Sequence, residues 1–224
     1  MNHLRCTALL LAALLACTLA ACFGGGERGE ASSSPSQARQ EEPDPNWPVA
    51  IGDIRVAEKP ERIVSLSPAL TEVLYELGGG DRMAGVSAYC DFPADIGDLP
   101  DCGTAQSPDL DRLRELSPDV VFVSAPMTQA NTVALQQMGA EVVVLPRAGS
   151  IDALETTYVT AATVLDGMQD GGENGRRVFG ALRARYDALT DAAGGITDRV
   201  SGVYLRAAPL LIVTGDTFEG QLLE

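Results

Sequence analysis

Residues 63–77 read IVSLSPALTEVLYEL, and this stretch decides the fold of the chain. Its first four residues are apolar or small and include two β-branched side chains, which predicts a short buried strand. Ser67 then offers an N-cap and Pro68 takes the first helical position, so a helix is predicted from Ala69 to Leu77. Three glycines at residues 78–80 close that helix. The stretch therefore predicts a strand followed directly by a helix.

The same alternation continues along the chain. Further apolar runs predict strands at residues 83–86, 120–123 and 142–145. Helices are predicted at residues 111–116, after the start Ser107-Pro108-Asp109-Leu110, and at residues 128–138 and 151–165, the last opening after Ser150. Short apolar strands separated by helices are typical of a parallel sheet covered on both faces. The expected fold class is α/β, and residues 49–170 form its first lobe.

A longer helix is expected after this lobe. Between residues 175 and 192, Val178, Leu182, Tyr186 and Leu189 form one apolar stripe and arginines occupy the other face. The stripe predicts one long amphipathic helix, which we place at residues 171–194. Apolar runs at 200–205 and 210–213 and the motif TGDTF at 214–218 follow it. Residues 195–224 are too few to enclose a second core, so we expect an incomplete second lobe in a truncated chain.

The N-terminal region predicts where the protein works. An apolar run over residues 7–21 follows Arg5 and ends in Leu19-Ala20-Ala21-Cys22. A cationic start, a short hydrophobic core and small residues before a cleavage site describe an export signal. The alternatives, an ordinary signal peptide or a membrane anchor, fit less well, because a spanning helix needs roughly twenty apolar residues. We predict a signal peptide over residues 1–21, a lipid on Cys22, and a protein anchored to the cell membrane that faces the periplasm or the cell exterior.

Residues 22–48 are dominated by Gly, Ser, Pro, Gln and Glu. Such a segment buries too little apolar surface to offset its ordering entropy, so it is predicted to be a flexible, lipidated tether.

Composition excludes several functions. The only histidine, His3, lies in the predicted signal peptide, so the mature protein lacks the imidazole that catalytic triads and most zinc sites use. The chain has 31 acidic and 16 basic residues, which argues against a nucleic-acid partner. We therefore predict no enzyme, no cofactor and no metal site. Once the cysteines of the predicted signal peptide and the lipid site are set aside, Cys90 and Cys102 remain. An even number of cysteines outside the cytoplasm is typical of disulfides, so these two are predicted to form one. The competing zinc site would have half of its ligands missing.

Three motifs resemble one known family. They are RIVSLSPALTE at residues 62–72, GVSAYCDFP at 85–93 and LSPDVV at 116–121. In this order and behind a lipoprotein signal, they are similar to the first lobe of the periplasmic binding proteins that feed cobalamin and iron-siderophore ABC importers. The resemblance implies two α/β lobes joined by a long helix. It also implies an ABC permease and ATPase as partners and a corrinoid, ferric siderophore or haem as ligand, held between the lobes.

Ligands of open parallel sheets bind beyond the carboxyl ends of the strands, and the resemblance points to the same loops. The candidate ligand-binding residues there are Pro68, Ala69, Tyr89, Asp91, Gln106, Ala125, Met127 and Arg147. Tyr89 stands where cobalamin binders carry a stacking tyrosine; the alternative is an ordinary exposed loop aromatic. Arg147 would pair with an anionic siderophore or with a neighbouring carboxylate. Where cobalamin binders often add tryptophans, this chain has Ala105-Gln106 and Ala125-Pro126.

Asp111 matches an acidic residue that docks on the permease in this family. The alternative is a charge that simply favours a helix N-terminus. For the whole protein, the competing function is an envelope sensor or surface scaffold built on the same binding fold, because fold does not fix function.

Overall fold

The computed structural model describes residues 44–195, 205–207, 210–212, 218 and 220. All of them belong to the second of the two units into which the chain divides, residues 42–224. Four predicted features therefore lie outside the described residues, in whole or for the most part. These are the signal peptide, the lipid site Cys22, the tether up to residue 43, and residues 196–204 and 213–217 of the expected second lobe.

The centre of the fold is a four-stranded sheet in the order β4-β3-β5-β6. Its strands are β3 (Ile63–Ser65), β4 (Met83–Val86), β5 (Val120–Val123) and β6 (Glu141–Val144). All three pairings are parallel, and Ile63 lies beside Val120, which lies beside Glu141. The predicted α/β fold with a parallel sheet is confirmed.

Five helices are described, together with two short 3-10 turns at Gly80–Arg82 and Ala94–Asp98. The helices are α1 (Pro68–Glu76), α2 (Leu110–Leu116), α3 (Gln129–Gln137), α4 (Ile151–Asp166) and α5 (Gly171–Gly194). Helix α2 begins at Leu110, one residue before the predicted range 111–116, and its N-cap is Asp109 rather than Ser107, because the Asp109 side chain accepts the N–H of Arg112. Ser107 instead exchanges two backbone hydrogen bonds with Thr104 in a tight turn.

Two antiparallel strand pairs are described in addition to the parallel sheet. Strands β1 (Val49–Ile51) and β2 (Ile54–Val56) form a hairpin that the sequence did not predict, since three-residue strands are too short to show a period. Strands β7 (Leu205–Ala207) and β8 (Leu210–Ile212) pair directly with each other. Strand β8 lies within the predicted run 210–213, whereas β7 begins where the run 200–205 ends.

The sheet is buried on both faces because its side chains alternate between two apolar clusters. In β5, Val120 and Phe122 join one cluster, and Val121 and Val123 join the other; all four are fully buried. Burying a side chain of this size contributes about 1.5 to 3 kcal/mol relative to leaving it in water. This explains why the predicted strands are continuous apolar runs rather than alternating ones.

The long helix is present as predicted, but its buried face differs from the predicted stripe. Gly171, Gly175 and Phe179 are its buried residues, whereas Leu189 is 71% exposed. The glycines let α5 approach α4 closely: a Cβ on Gly175 would lie 2.6 Å from the Cα of Val159. Val178, Leu182 and Tyr186 lie half-buried at the edge of this contact. None of the described helices combines the length and the apolar character needed to cross a membrane.

The predicted disulfide between Cys90 and Cys102 is not formed; both thiols are free. The physical reason is that the two residues pack on opposite faces of the sheet. Cys90 lies against the cluster that contains Phe122, and Cys102 is buried in the cluster that contains Val121. The Cys90 Sγ lies 3.2 Å from the Thr71 Oγ1, and the Cys102 Sγ donates a weak bond to the carbonyl of Pro100.

Candidate functional site

A cavity of about 440 Å³ opens at the carboxyl ends of β3, β5 and β6. Three segments that follow these strands supply one wall, and the first two turns of α1 and α4 supply the other. The lining residues are Ser67, Pro68, Ala69, Leu70, Val73, Ser124, Leu145, Pro146, Arg147, Ala148, Leu154, Thr157 and Phe218. This is the edge of the sheet at which the sequence placed the ligand.

Three of the predicted ligand-binding residues line this cavity: Pro68, Ala69 and Arg147. All three are exposed. After β5 the lining residue is Ser124, whereas Ala125 and Met127 follow it in the same segment without lining the cavity. Met127 is partly buried and packs against the cluster around Val121.

Tyr89 and Asp91 belong to a loop after β4, next to the cavity but not part of its lining. Tyr89 is 74% exposed, and its backbone N–H donates to the Ser87 hydroxyl at 3.3 Å. The contact of Cys90 with Thr71 holds this loop beside α1. The Tyr89 ring is therefore presented to solvent from an anchored backbone, so it can contact a ligand that extends beyond the cavity.

Gln106 lies farther along the same edge. The chain after β4 returns and pairs again with that strand, since Val86 and Asp101 form a parallel bridge and the Ala88 N–H donates to the Gly103 carbonyl. Gln106 sits on the exposed turn that follows and does not line the cavity.

Charges are distributed unevenly around this edge. Arg147 is the one basic side chain in the described lining, which contains no acidic side chain. Acidic groups gather on α1 instead: burial raises the pKa of Glu72, and the carboxylates of Glu76 and Asp91 raise it further. The described part of the cavity is thus free of the carboxylates that dominate the chain as a whole.

Asp111 lies in the first turn of α2 and is exposed. Its carboxylate pairs with Arg114 at 2.6 Å, three residues along the same helix. An exposed pair of this kind contributes little stability, which leaves the Asp111 side chain available to a partner.

Leu70, Val73, Leu154, Thr157 and Phe218 were not predicted as site residues. The first four lie on helices, in pairs separated by three residues, so each helix turns one such pair toward the cavity. A sequence signal exists in this spacing and in the helix starts at Ser67 and Ser150. The prediction from the sequence covered the loops at the strand ends and therefore did not include these helix residues.

A second cavity, of about 640 Å³, lies at the opposite, amino-terminal edge of the sheet. Its lining is mainly charged and polar: Arg55, Val56, Ala57, Glu58, Lys59, Glu61, Arg62, Asp119, Gln136, Gly139, Ala140 and Glu141. Burial raises the pKa of Glu141, and the Arg55 backbone N–H and guanidinium partly offset this rise. Within the described residues, no group of three or more His, Cys, Asp or Glu side chains is placed to hold a metal ion.

Comparison with known proteins bears on the fold and on the family of this chain. The family model of periplasmic binding proteins matches residues 63–218. A vitamin B12-binding protein of Vibrio campbellii is 28% identical over 178 residues, which cover 78% of this chain and 62% of that protein. This chain thus spans less than two thirds of the length of that relative.

Two solved structures share the fold. The periplasmic vitamin B12-binding protein of Vibrio cholerae superimposes with a TM-score of 0.57 at 21% identity, covering 73% of this chain and 64% of that one. A periplasmic haem-binding protein of Pseudomonas aeruginosa gives a TM-score of 0.59 at 21% identity, covering 68% and 56%. Since the family model also covers well over half of the chain, the chain belongs to the periplasmic binding protein family.

Proposed function

We propose that this protein is the substrate-binding lipoprotein of an ABC importer and captures a corrinoid, a ferric siderophore or haem outside the cytoplasmic membrane. It acts by binding and not by catalysis. The observation that carries the proposal is the cavity at the carboxyl ends of β3, β5 and β6, in a chain of this family. Ligands of open α/β sheets bind at this edge.

The size and chemistry of the cavity suit this ligand class. Its volume of about 440 Å³ lies in the range of small-molecule pockets, which is roughly 300 to 1,000 Å³. Arg147 supplies a cation at its rim. A flat macrocycle or metal chelate would place one group in the cavity and lay its face on the exposed ring of Tyr89. Asp91, Gln106, Ala125 and Met127 would contact its periphery.

The remaining parts of the proposal concern the cell envelope. A lipid on Cys22 would hold the protein at the membrane, and Asp111 would dock on a permease. Helix α5 would carry the second lobe, and its exposed Leu189 would lie against that lobe. Fractionation of cells that express Cys22→Ala tests the anchor: we expect the variant to leave the membrane fraction, and unchanged processing and membrane association would contradict it.

The ligand is tested by incubating the purified protein with cyanocobalamin, haemin and ferric siderophores in turn. Native mass spectrometry and absorbance then report any complex. We expect one class of compound to bind. Arg147→Ala should lower the affinity for that compound, and the loss should be larger for an anionic ligand than for a neutral one. Arg55→Ala, which removes a cation from the opposite edge, is the matched control and should bind normally. Absence of binding by every compound would contradict the proposed function.

A further inference from the structure

We infer that the first turn of α1, with the hydroxyl of Ser67, forms an oxyanion subsite inside the cavity, which takes a carboxylate or phosphate group of the ligand. The inference deepens the proposed function and rests on it for the identity of the whole ligand.

The first observation is a set of backbone donors without acceptors. The Thr71 N–H makes the earliest hydrogen bond of α1, to the Ser67 carbonyl at 2.9 Å. Pro68 has no N–H. The N–H groups of Ala69 and Leu70 are therefore the other donors of the first turn, and neither donates to any residue that the structure describes. Both residues line the cavity. Helix N-termini that present such groups are ready-made anion sites.

The second observation is the Ser67 side chain. Ser67 is only 3% exposed and lines the cavity, yet its hydroxyl does not cap the helix and has no hydrogen-bond partner among the described residues. Its carbonyl is already used, because it accepts the hydroxyls of Ser65 at 3.0 Å and Thr71 at 3.1 Å. No side-chain oxygen or nitrogen that is fully shielded within the described residues lacks a partner, so the unused Ser67 hydroxyl is open to the space of the cavity. A polar group is normally satisfied in a protein, and this one can be satisfied by a ligand group that enters the cavity.

Two neighbouring helices show the ordinary arrangement. The Thr128 side chain accepts the N–H of Asn131 at the start of α3, and the Ser150 side chain accepts the N–H of Ala153 at the start of α4. In those helices a side chain occupies the place that an anion would take. In α1 the corresponding place is left for the contents of the cavity.

Charge favours the same class of ligand group. The N-terminus of a helix carries a partial positive charge. The described lining of the cavity holds no carboxylate, although the chain as a whole has a net charge of −15. An oxyanion is therefore attracted to this turn, and neither Ser67 nor the backbone offers it a competing negative charge.

The test uses the purified full-length chain, labelled with ¹⁵N, and two small probes, inorganic phosphate and acetate. We expect saturable shifts of the Ala69 and Leu70 amide signals with at least one probe. The probe that binds more tightly distinguishes a phosphate from a carboxylate. Ser67→Asp keeps a good N-cap, so the helix remains, but its carboxylate takes the backbone donors and repels the probe. We expect affinity to fall by about tenfold or more in this variant, and severalfold in Ser67→Ala.

Thr128→Asp is the matched control, since it adds the same charge to a helix start that is already capped, outside the cavity lining. It should change the affinity by less than about twofold, the size of a weak helix-terminus effect. Absence of shifts at Ala69 and Leu70 with both probes, or equal shifts in Ser67→Asp, would overturn the inference. Because the probes are simple ions, this result is independent of the corrinoid, haem and siderophore panel, whose failure would contradict only the proposed function.

Discussion

The two edges of the parallel sheet each carry a cavity, but they differ in how their polar groups are satisfied. At the amino-terminal edge the cavity is the larger, about 640 Å³, and its charges serve the protein itself. The Asp119 carboxylate accepts the N–H groups of Glu61 and Arg62, both at 2.8 Å. Arg55 donates to the carbonyls of Gly52 and Ile54 at 2.6 and 2.7 Å.

At the carboxyl-terminal edge the cavity is smaller, about 440 Å³, and mainly apolar, and its backbone donors at Ala69 and Leu70 have no acceptor among the described residues. The larger cavity is therefore not the one that we propose as the ligand site, and cavity size alone is a poor guide to the binding edge. Polar groups that already bond to the protein hold the fold together, whereas polar groups without partners in a preformed cavity are available to a ligand. Substitutions at the amino-terminal edge should therefore affect stability, and substitutions at the carboxyl-terminal edge should affect binding.

The largest effect is expected at the amino-terminal edge. Asp119→Ala removes the acceptor of two backbone N–H groups and should lower the free energy of unfolding by about 2 to 3 kcal/mol, the range for hydrogen bonds to a charged group. Urea denaturation measures this loss. Asp119→Asn keeps one side-chain oxygen and should lose roughly half as much. Ligand affinity should not change in either variant; a large loss of affinity at full stability would reverse the roles of the two edges.

Tyr89→Ala tests the other edge. Its ring is 74% exposed, so its removal should leave the free energy of unfolding unchanged. If the ring stacks on the ligand, affinity should fall by about 1 to 3 kcal/mol, as for other aromatic anchors. Titration calorimetry with the ligand found in the panel measures this, and Tyr89→Phe, which keeps the ring, is the control. An unchanged dissociation constant in Tyr89→Ala would make Tyr89 an ordinary loop aromatic.

The order of strands and helices was predictable because its signals are local. The step from Ser65 through Ser67 to Pro68 specifies a strand, an N-cap and a first helical residue within a few positions, and the structure follows it closely. Ser107-Pro108 shows the limit of this signal. The same dipeptide does not start α2, because Ser107 is held in a tight turn with Thr104, which leaves Asp109 as the cap.

Contacts between distant segments were not predictable from pattern alone. The buried face of α5 is set by how closely Gly175 approaches Val159, and a hydrophobic stripe contains no information about that distance. The disulfide expectation failed for a related reason, since pairing by cysteine count ignores which face of the sheet each thiol occupies. At the candidate site, the loops were predicted, whereas Leu154 and Thr157 depend on how α4 packs.

A smaller effect is expected at Tyr158, which connects the two helices that wall the binding cavity. Its hydroxyl donates to the Glu76 carboxylate at the end of α1. Burial raises the pKa of Tyr158 above its ordinary value, and the bond to Glu76 raises it further. Tyr158→Phe should lower the free energy of unfolding at pH 8 by about 1 kcal/mol, through loss of this bond.

The pH dependence of this variant carries a definite sign. The folded state holds the Tyr158 proton more tightly than the unfolded state, whose tyrosines ionise near pH 10. The stability that comes from holding this proton more tightly is fully present below about pH 10 and is lost as the pH rises further. The wild type should therefore lose stability above about pH 10 more steeply than Tyr158→Phe, as measured by urea denaturation in steps between about pH 8 and 11. Parallel curves for the two proteins would contradict the assignment.

The smallest effect on stability is expected at the two cysteines, which mark opposite faces of the sheet. Cys90 is half-buried, whereas Cys102 is fully buried, and burial with the nearby Asp101 and Asp109 raises the pKa of its thiol to about 11. At pH 8, iodoacetamide should label Cys90 in the native protein and Cys102 only after unfolding, because the thiolate is the reactive form. Cys90→Ser places a hydroxyl beside Thr71 and should change the free energy of unfolding by less than about 0.5 kcal/mol.

A bound ligand that covers Tyr89 should slow the labelling of Cys90 severalfold without affecting Cys102, which connects this measurement to the binding edge. Peptide mapping under non-reducing conditions reads out both thiols, and a recovered peptide that joins Cys90 to Cys102 would contradict the packing of these residues on separate faces.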